Sequence, residues 1–489
     1  MPIVPIREWV PDASDLANPG AILIRNALPG VNSYKPFPKL VTQTDALDDR
    51  PRGAIEEIDA SRNVYQYAGD EAKLYVRSGT SWNDVSKVGG YSTGTAERWE
   101  FVRWKEKILA TNFTDNPQSI TFGGANFADM TTDLRFRRIA VIKDFVIAGN
   151  TFDATDGAVR DRVRWSAFNN ETDWTVSPAT LSSFRDLKVG GGVQRIFGGE
   201  YGVVLSEKST FRVTFIGSPN VFQIDEVVPG VGAIAPGASA RLGDQIFFWS
   251  EHGFIALSGG STEQFIGAGR VDDFAETDLD ESFLERMSAV ADPRSGRVYW
   301  SYPGAGNVDG LPNKIIAYDK NLNRWGYGEV DTELVWRSGG VATTLEELDA
   351  LYASVDDIEV SLDSAQWKGT SPLFAGFDPA FKNGNFNGAP LEALIETREV
   401  ELFPGRKTVL RGFQSLVDSG TTMVEVGTRK SQADTVKYSA KKARRSTGSY
   451  PCRVKSRFFR FRMTITGEWK DAIGIQIDDD QVAPADRRG

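Results

Sequence analysis

The chain of 489 residues contains one cysteine, Cys452, and one histidine, His252. A single thiol excludes an internal disulfide framework and a four-thiolate zinc site. A single imidazole excludes paired-histidine metal sites and restricts any Ser-His-Asp triad to that one residue. His252 stands in "WSEHGFIAL", where Glu-His-Gly reads as a hairpin turn. No run of 18 or more apolar residues occurs, so no membrane-spanning helix is expected. The opening "MPIVPIREWVPDASDL" has no basic segment followed by an apolar one, and no signal peptide is read there.

Motifs that carry chemistry are also scarce. Gly-rich "KVGGGVQRIFGGE" does not end in Gly-Lys-Ser/Thr, so it is no phosphate-binding loop. "DATDGAVRD" (153–161) lacks the last ligand of an EF-hand loop. "VDDFAETDLDE" (271–281) reads as a solvated acidic loop or helix start, not as the spaced carboxylate pair of glycoside hydrolysis. The Ser-x-Asp-x-Gly-x-x-Trp box of sialidases is absent. The expectation is a non-enzyme with no catalytic residues, no cofactor, no metal and no small-molecule substrate.

What is abundant is turn and strand. The chain has 48 Gly and 22 Pro and is 11% aromatic, and its length suits two or three domains. "IIAYDKNLNRWGYGEV" (315–330) alternates apolar and polar residues around a polar turn, with Tyr318 seven residues before Trp325. Similar spacings join Tyr75 to Trp82, Phe215 to Phe222 and Phe113 to Ile120; Leu257 to Phe265 and Trp165 to Trp174 are longer. Before each lies a second hairpin pattern, as in "WEFVRWKEKILATN", "RRIAVIKDFVIAG" and "ARLGDQIFFWSEHG". Together they make about six four-stranded units between 51 and 335, at a spacing of roughly 45 residues. A four-stranded sheet with two apolar faces cannot cover both alone, and ring stacking covers them. The predicted fold is all-β: a six-bladed β-propeller with an inserted helical segment and a C-terminal β-sandwich.

The expected organisation is an N-terminal extended arm (1–50), the propeller (51–335), a helical insert (336–371), return strands completing the propeller (372–392), the sandwich (393–479) and a loose tail (480–489). The insert rests on Leu345, Leu348, Leu351 and Ile358 at helical spacing, with Thr343 or Thr344 as cap.

Charge is unevenly placed. Net charge is −10, no overall match for DNA. Yet residues 429–462 hold twelve Lys and Arg against the single acid Asp434. Alternation with Phe459 and Phe461 gives the last strand an aromatic face and a cationic one. Lys441, Lys442, Arg444, Arg445, Arg453, Arg457, Arg460 and Arg462 are candidate docking residues for an acidic partner or for phosphates. The bland alternative is a solvated basic face.

The N-terminal 40 residues place Trp9, Pro11, Asp12, Asn18, Pro19, Gly20, Asn26, Pro29, Tyr34, Pro36, Phe37 and Pro38 in an order similar to the opening of tail proteins in short-tailed bacteriophages. The plan of arm, propeller and basic C-terminal β domain ending in "RFFRFRMTITG" resembles the tail nozzle, or packaged-DNA stabilisation, family. That resemblance implies a homo-hexameric ring in the virion tail, assembled in the host cytoplasm, below the portal and adaptor. It implies contacts with the adaptor, the tail fibre or spike and the tail needle or plug. It further implies that double-stranded DNA passes through the lumen without sequence specificity, and that no catalysis occurs. The alternative of another class is a glycan-binding or glycan-processing propeller, expected to show carboxylates beside exposed aromatics.

Overall fold

The computed structural model describes residues 3–15, 18–339, 354, 373–478 and 481–485. The described residues are almost wholly β. One short helix, Asp272–Asp278, and one 3-10 segment, Glu281–Arg286, are the exceptions among them.

Six four-stranded antiparallel sheets follow one another from Gly53 to Glu329, as the repeat pattern requires. Their first, innermost strands are Gly53–Ile58, Glu100–Trp104, Leu134–Ile142, Val193–Phe197, Ser239–Leu242 and Ser288–Asp292. A further four-stranded sheet stands between the sixth and the first and closes the ring. It is composite: Leu334–Ser338, Leu373–Phe377 and Lys382–Pro390 are joined by Pro38–Ala46 from the N-terminal region. Pro38 begins that outer strand, where a missing N–H costs no internal ladder bond.

Stacking explains the composition of the strands. The second strands, such as "GVVLS" (202–206) and "QIFFWS" (245–250), are buried almost throughout, because neighbouring sheets cover both of their faces. Seven apolar clusters fill the seven gaps between adjacent sheets. Trp99 and Tyr67 pack between the first and second, Trp104 and Phe136 between the second and third, and Trp165 and Phe222 between the third and fourth. Leu205 and Phe248 fill the gap between the fourth and fifth, and Phe254 packs against Trp300 and Trp325 between the fifth and sixth, at 4.9 Å each. Tyr299 stacks on Phe374 at 3.9 Å, and Trp336, Phe377 and Tyr75 fill the gap back to the first sheet.

A polar staple recurs beside these clusters. Arg103 donates from Nε to Lys105 O in its own turn (2.8 Å) and from Nη1 to Ile58 O in the preceding blade (2.5 Å). Arg241 repeats both bonds three blades on, to Gly243 O (3.0 Å) and Gly198 O (2.5 Å). Carbonyls at strand ends that lack ladder partners are thereby satisfied.

The hairpin "IIAYDKNLNRWGYGEV" supplies the outer two strands of the sixth sheet, Lys314–Asp319 and Arg324–Glu329. Tyr318 lies directly opposite Trp325, and Phe215 opposite Phe222. Other spacings do not mark pairs. Trp165 faces Ser183, Trp82 faces Arg77, Phe265 faces Ile255, and Phe113 lies outside any strand.

C-terminal residues form two sheets. One contains Thr408–Val417, Ser449–Ser456 and Ala472–Gln476, and continues through N-terminal strands into the sixth blade. The other is built on Ala393–Glu396, Thr421–Arg429 and Phe458–Thr466. Phe413 from the first stands edge-on to Phe461 of the second at 5.1 Å. Three boundaries differ from expectation. Residues 336–338 are strand, and the remainder of the expected helical insert, Ser354 apart, lies outside the described residues. The region before Pro38 is not a free arm: Ile3–Pro5, Leu23–Arg25 and Ala27–Pro29 each pair with strands of the C-terminal sheets or the sixth blade. Val482–Pro484, expected in a loose tail, pairs with Thr408–Leu410.

Candidate functional site: a basic face on the C-terminal sheets

The eight candidate basic residues divide into two groups. Arg460 is buried and bonds Asp15 (2.9 Å) and Glu399 (3.4 Å). Burial opposes its charge, but Asp15, Glu399 and Glu396 outweigh that and hold the guanidinium above its ordinary range. Arg462 pairs with Glu396 at 2.8 Å and lies 3.9 Å from the Tyr438 ring centre. Arg457 pairs with Glu401 at 2.9 Å. Nearby Arg429 is held by both oxygens of Glu399, at 2.6 and 2.7 Å. Arg460 and Arg462 thus neutralise the buried Glu396 and Glu399, and Arg457 forms a partly exposed pair with Glu401, so none of the three is a free cation, a correction to their reading as a cationic face. The sequence missed it because Asp15, Glu396, Glu399 and Glu401 lie outside the basic stretch.

The second group faces solvent. Lys441, Arg444, Arg445 and Arg453 are exposed, and none has an ion-pair partner among the described residues. Lys442 is half-buried and donates to Pro451 O at 2.9 Å. Strand register adds members that charge counting did not single out. Lys455 faces Val409 across the Thr408–Val417 strand, and Arg453 lies two residues before it on the same side. Arg411, in a bulge of that strand, is exposed as well. Cys452 points to the opposite, buried side, where burial pushes its thiol up to about 11. The outer surface is thus cationic and its underside apolar, which suits docking to an acidic surface or to phosphates.

The N-terminal motif residues form a buried seam. Trp9 N donates to Tyr34 Oη (2.9 Å), which in turn donates to Trp325 O (3.2 Å). Burial pushes the Tyr34 phenol up to about 12, partly offset by Arg324. Asp12 accepts from the Asp273 and Phe274 amides at the start of the short helix. Asn18 donates to Val10 O and accepts from Gly20 N, and a Cβ on Gly20 would overlap Glu8 O. Pro11 and Pro19 flank these turns. Asn26, at φ 55°, donates to Glu392 O and accepts from Glu329 N. Asn tolerates that left-handed backbone better than most residues. Pro29 O accepts from Arg297, Pro36 pairs with Ala27, and Phe37 packs edge-on against Tyr299, Phe374 and Phe386.

Other candidate positions have plain roles. His252 occupies a two-residue turn between Ser250 and Gly253. Among the described residues no group of three His, Cys, Asp or Glu is placed to hold a metal, and no helix is long and apolar enough to cross a membrane. Phe168, Phe215 and Ile216 form an exposed apolar patch on the third and fourth blades. Their hydrophobicity is indistinguishable in the sequence from that of core residues.

The fold defines a β-propeller protein. No family profile matches the chain, and no curated protein matches it. Solved structures that resemble it include BamB from Moraxella catarrhalis, with TM-score 0.31 and 10% identity over 62% of this chain and 94% of that one. YCF48 bound to D1 peptide gives 0.36 and 10% over 61% and 87%. The Neurospora crassa Pan2 WD40 domain gives 0.34 and 6% over 59% and 90%. Likenesses this distant carry no argument about function.

Proposed function

We propose that this protein is a structural component of a phage tail: a hexameric nozzle ring below the portal and adaptor that retains packaged DNA and conducts it on ejection. In this reading the paired C-terminal sheets are a β-sandwich that docks onto neighbouring copies, adaptor, fibre or needle. The observation that carries the proposal is the exposed basic face of Lys441, Arg444, Arg445, Arg453 and Lys455, without ion-pair partners among the described residues, on a chain of net charge −10. Acidic surface on one copy and a basic face on the next favour head-to-tail association, and rotation that closes makes a ring.

The propeller's own axis is no conduit. Arg98 reaches from the entry of the second blade to Met287 O at the entry of the sixth. The axial cavity is about 290 Å³, too small for a duplex whose major groove alone is about 12 Å wide. A lumen for DNA therefore has to lie between copies.

The glycan reading expects clustered carboxylates with exposed aromatics around the channel mouth. The exposed large aromatics among the described residues are all phenylalanines: Phe168, Phe184, Phe215 and Phe265. The test is electron microscopy of the assembled particle together with a K441E/R444E/R445E variant. Six copies at the tail, and a folded variant that fails to assemble, are expected. A particle lacking six copies there, or a variant that assembles normally, overturns the proposal.

A further inference from the structure

The axial cavity has a composition that the rest of the chain does not share. Its charged lining is Arg98, Arg195, Arg241 and Arg337 against Glu100 alone. In an acidic protein this is a local excess of positive charge beside the innermost strands: Arg98 and Arg195 are half-buried, while Arg241 and Arg337 are exposed, Arg337 with Glu57 near it. Only part of it is compensated. Glu100 Oε1 is shared by Arg195 Nη1 at 3.0 Å and Arg138 Nη1 at 3.3 Å, while Oε2 accepts from Ile139 N. One carboxylate therefore serves two guanidinium groups. Among the described residues Arg98 donates only to the Met287 carbonyl, and Arg241 only to the carbonyls of Gly198 and Gly243. Carbonyls satisfy N–H donors but do not cancel charge.

Unsatisfied donors accompany the excess. Arg138 is buried, and its Nε and that of Arg195 have no hydrogen-bond partner among the described residues. Burial, then Arg195, push the Arg98 guanidinium down to about 10, with Glu100 only partly restoring it. The backbone is adapted to this cluster. A Cβ on Gly237 would overlap both Arg98 Nη1 and Met287 O, so the crossing arginine needs glycine there. Buried like charges are costly unless an opposite charge joins them. Guanidinium forks match the oxygens of phosphate-type anions.

We infer that the axial cavity is a binding site for a phosphate-type oxyanion, held chiefly by Arg98 and Arg195. This goes beyond the tail reading and does not depend on it. The anion would tie the entry of the second blade, through Arg98, to the fourth blade, through Arg195. A cavity of about 290 Å³ takes a small tetrahedral ion, free or as the terminal group of a slender ligand.

The test is thermal unfolding of the full chain titrated with inorganic phosphate, sulfate or phenyl phosphate, with chloride balancing ionic strength. Phosphate and sulfate are expected to give a saturable Tm rise of roughly 2–4 °C. A matching response to phenyl phosphate assigns the site to an anion carried on a larger ligand; its absence assigns it to the free ion. R195Q is expected to weaken the apparent affinity about tenfold or more. E100Q, which removes the competing carboxylate but keeps its shape, is expected to tighten it. Tightening is the outcome that a merely structural cluster would not produce. R453Q, on the outer basic face, should change nothing. A Tm that follows ionic strength alone, or an R195Q protein that responds like the parent, overturns the inference.

Discussion

Asp272 shows how a single side chain can be placed against its own chemistry. It lies between Gly253 and Gly267, neither of which has room for a Cβ beside it, and its Oδ1 accepts from Phe254 N at 3.0 Å. Burial raises its pKa from 3.8 to about 6; the Phe254 bond opposes this, while Asp12, Asp273 and Glu276 add to it. A carboxyl whose folded pKa is raised contributes stability that is present below its unfolded pKa and lost as pH climbs through the folded one. Asp272 should therefore cost stability between about pH 4 and pH 6 and above. D272N keeps the acceptor and removes the charge. Urea unfolding at neutral pH is expected to show it more stable than the parent by on the order of 1 kcal/mol, after allowing for solvent screening. The difference should vanish in acid. At this scale the sequence is legible where bonding is local. Tyr318 and Trp325 are opposite each other because a short turn sets register. Trp165 and Trp174 are not, because a long excursion intervenes before the next strand.

Among elements, the strand Pro38–Ala46 is the decisive one. It completes the sheet that joins the sixth blade to the first, although its partner, Lys382–Pro390, lies more than three hundred positions away. Upstream, Trp9, Tyr34 and Phe37 are each almost wholly buried. Losing a buried aromatic costs about 3–5 kcal/mol, so three together match the roughly 5–15 kcal/mol that stabilises a typical domain. Deleting residues 1–46 should leave a chain without a cooperative melt by circular dichroism and open to limited proteolysis. A sharp transition near that of the full chain would show that the ring closes without this strand. The N-terminal motif reads in sequence as spaced prolines, asparagines and aromatics. Its work as a seam through the sixth blade and the C-terminal sheets is not readable there, since each partner comes from a distant segment.

For the whole molecule, the pattern of charge is the feature with a functional consequence. Residues 429–462 carry a net charge of about +11, so the remainder carries about −21. Three of the eight arginines and lysines singled out within it are consumed by Glu396, Glu399, Glu401 and Asp15. What remains outside is smaller than the raw count, but it has no ion-pair partner among the described residues: Arg453 and Lys455 lie on a strand, and Lys441, Arg444 and Arg445 in the connection before it. Association through it should be screened by salt, with a Debye length of about 10 Å at 0.1 M and 3 Å at 1 M. Oligomer measured by analytical ultracentrifugation is expected to decline steeply over that range if the basic face is the contact. An oligomer indifferent to salt would point instead to an apolar surface such as that around Phe168 and Phe215.

Alternation, turn residues and repeat spacing by themselves determined that this chain is all-β and that six sheets follow in succession, because those features depend on neighbours along the chain. The scarcity of cysteine and histidine likewise needed no structure to exclude whole classes of chemistry. Tertiary structure decided what depends on distant neighbours: the composite closing sheet, the N-terminal seam, which arginines are neutralised, and the arginine-lined axis. Strand pairing and charge compensation act through space, and the order of residues does not record which distant group arrives beside which.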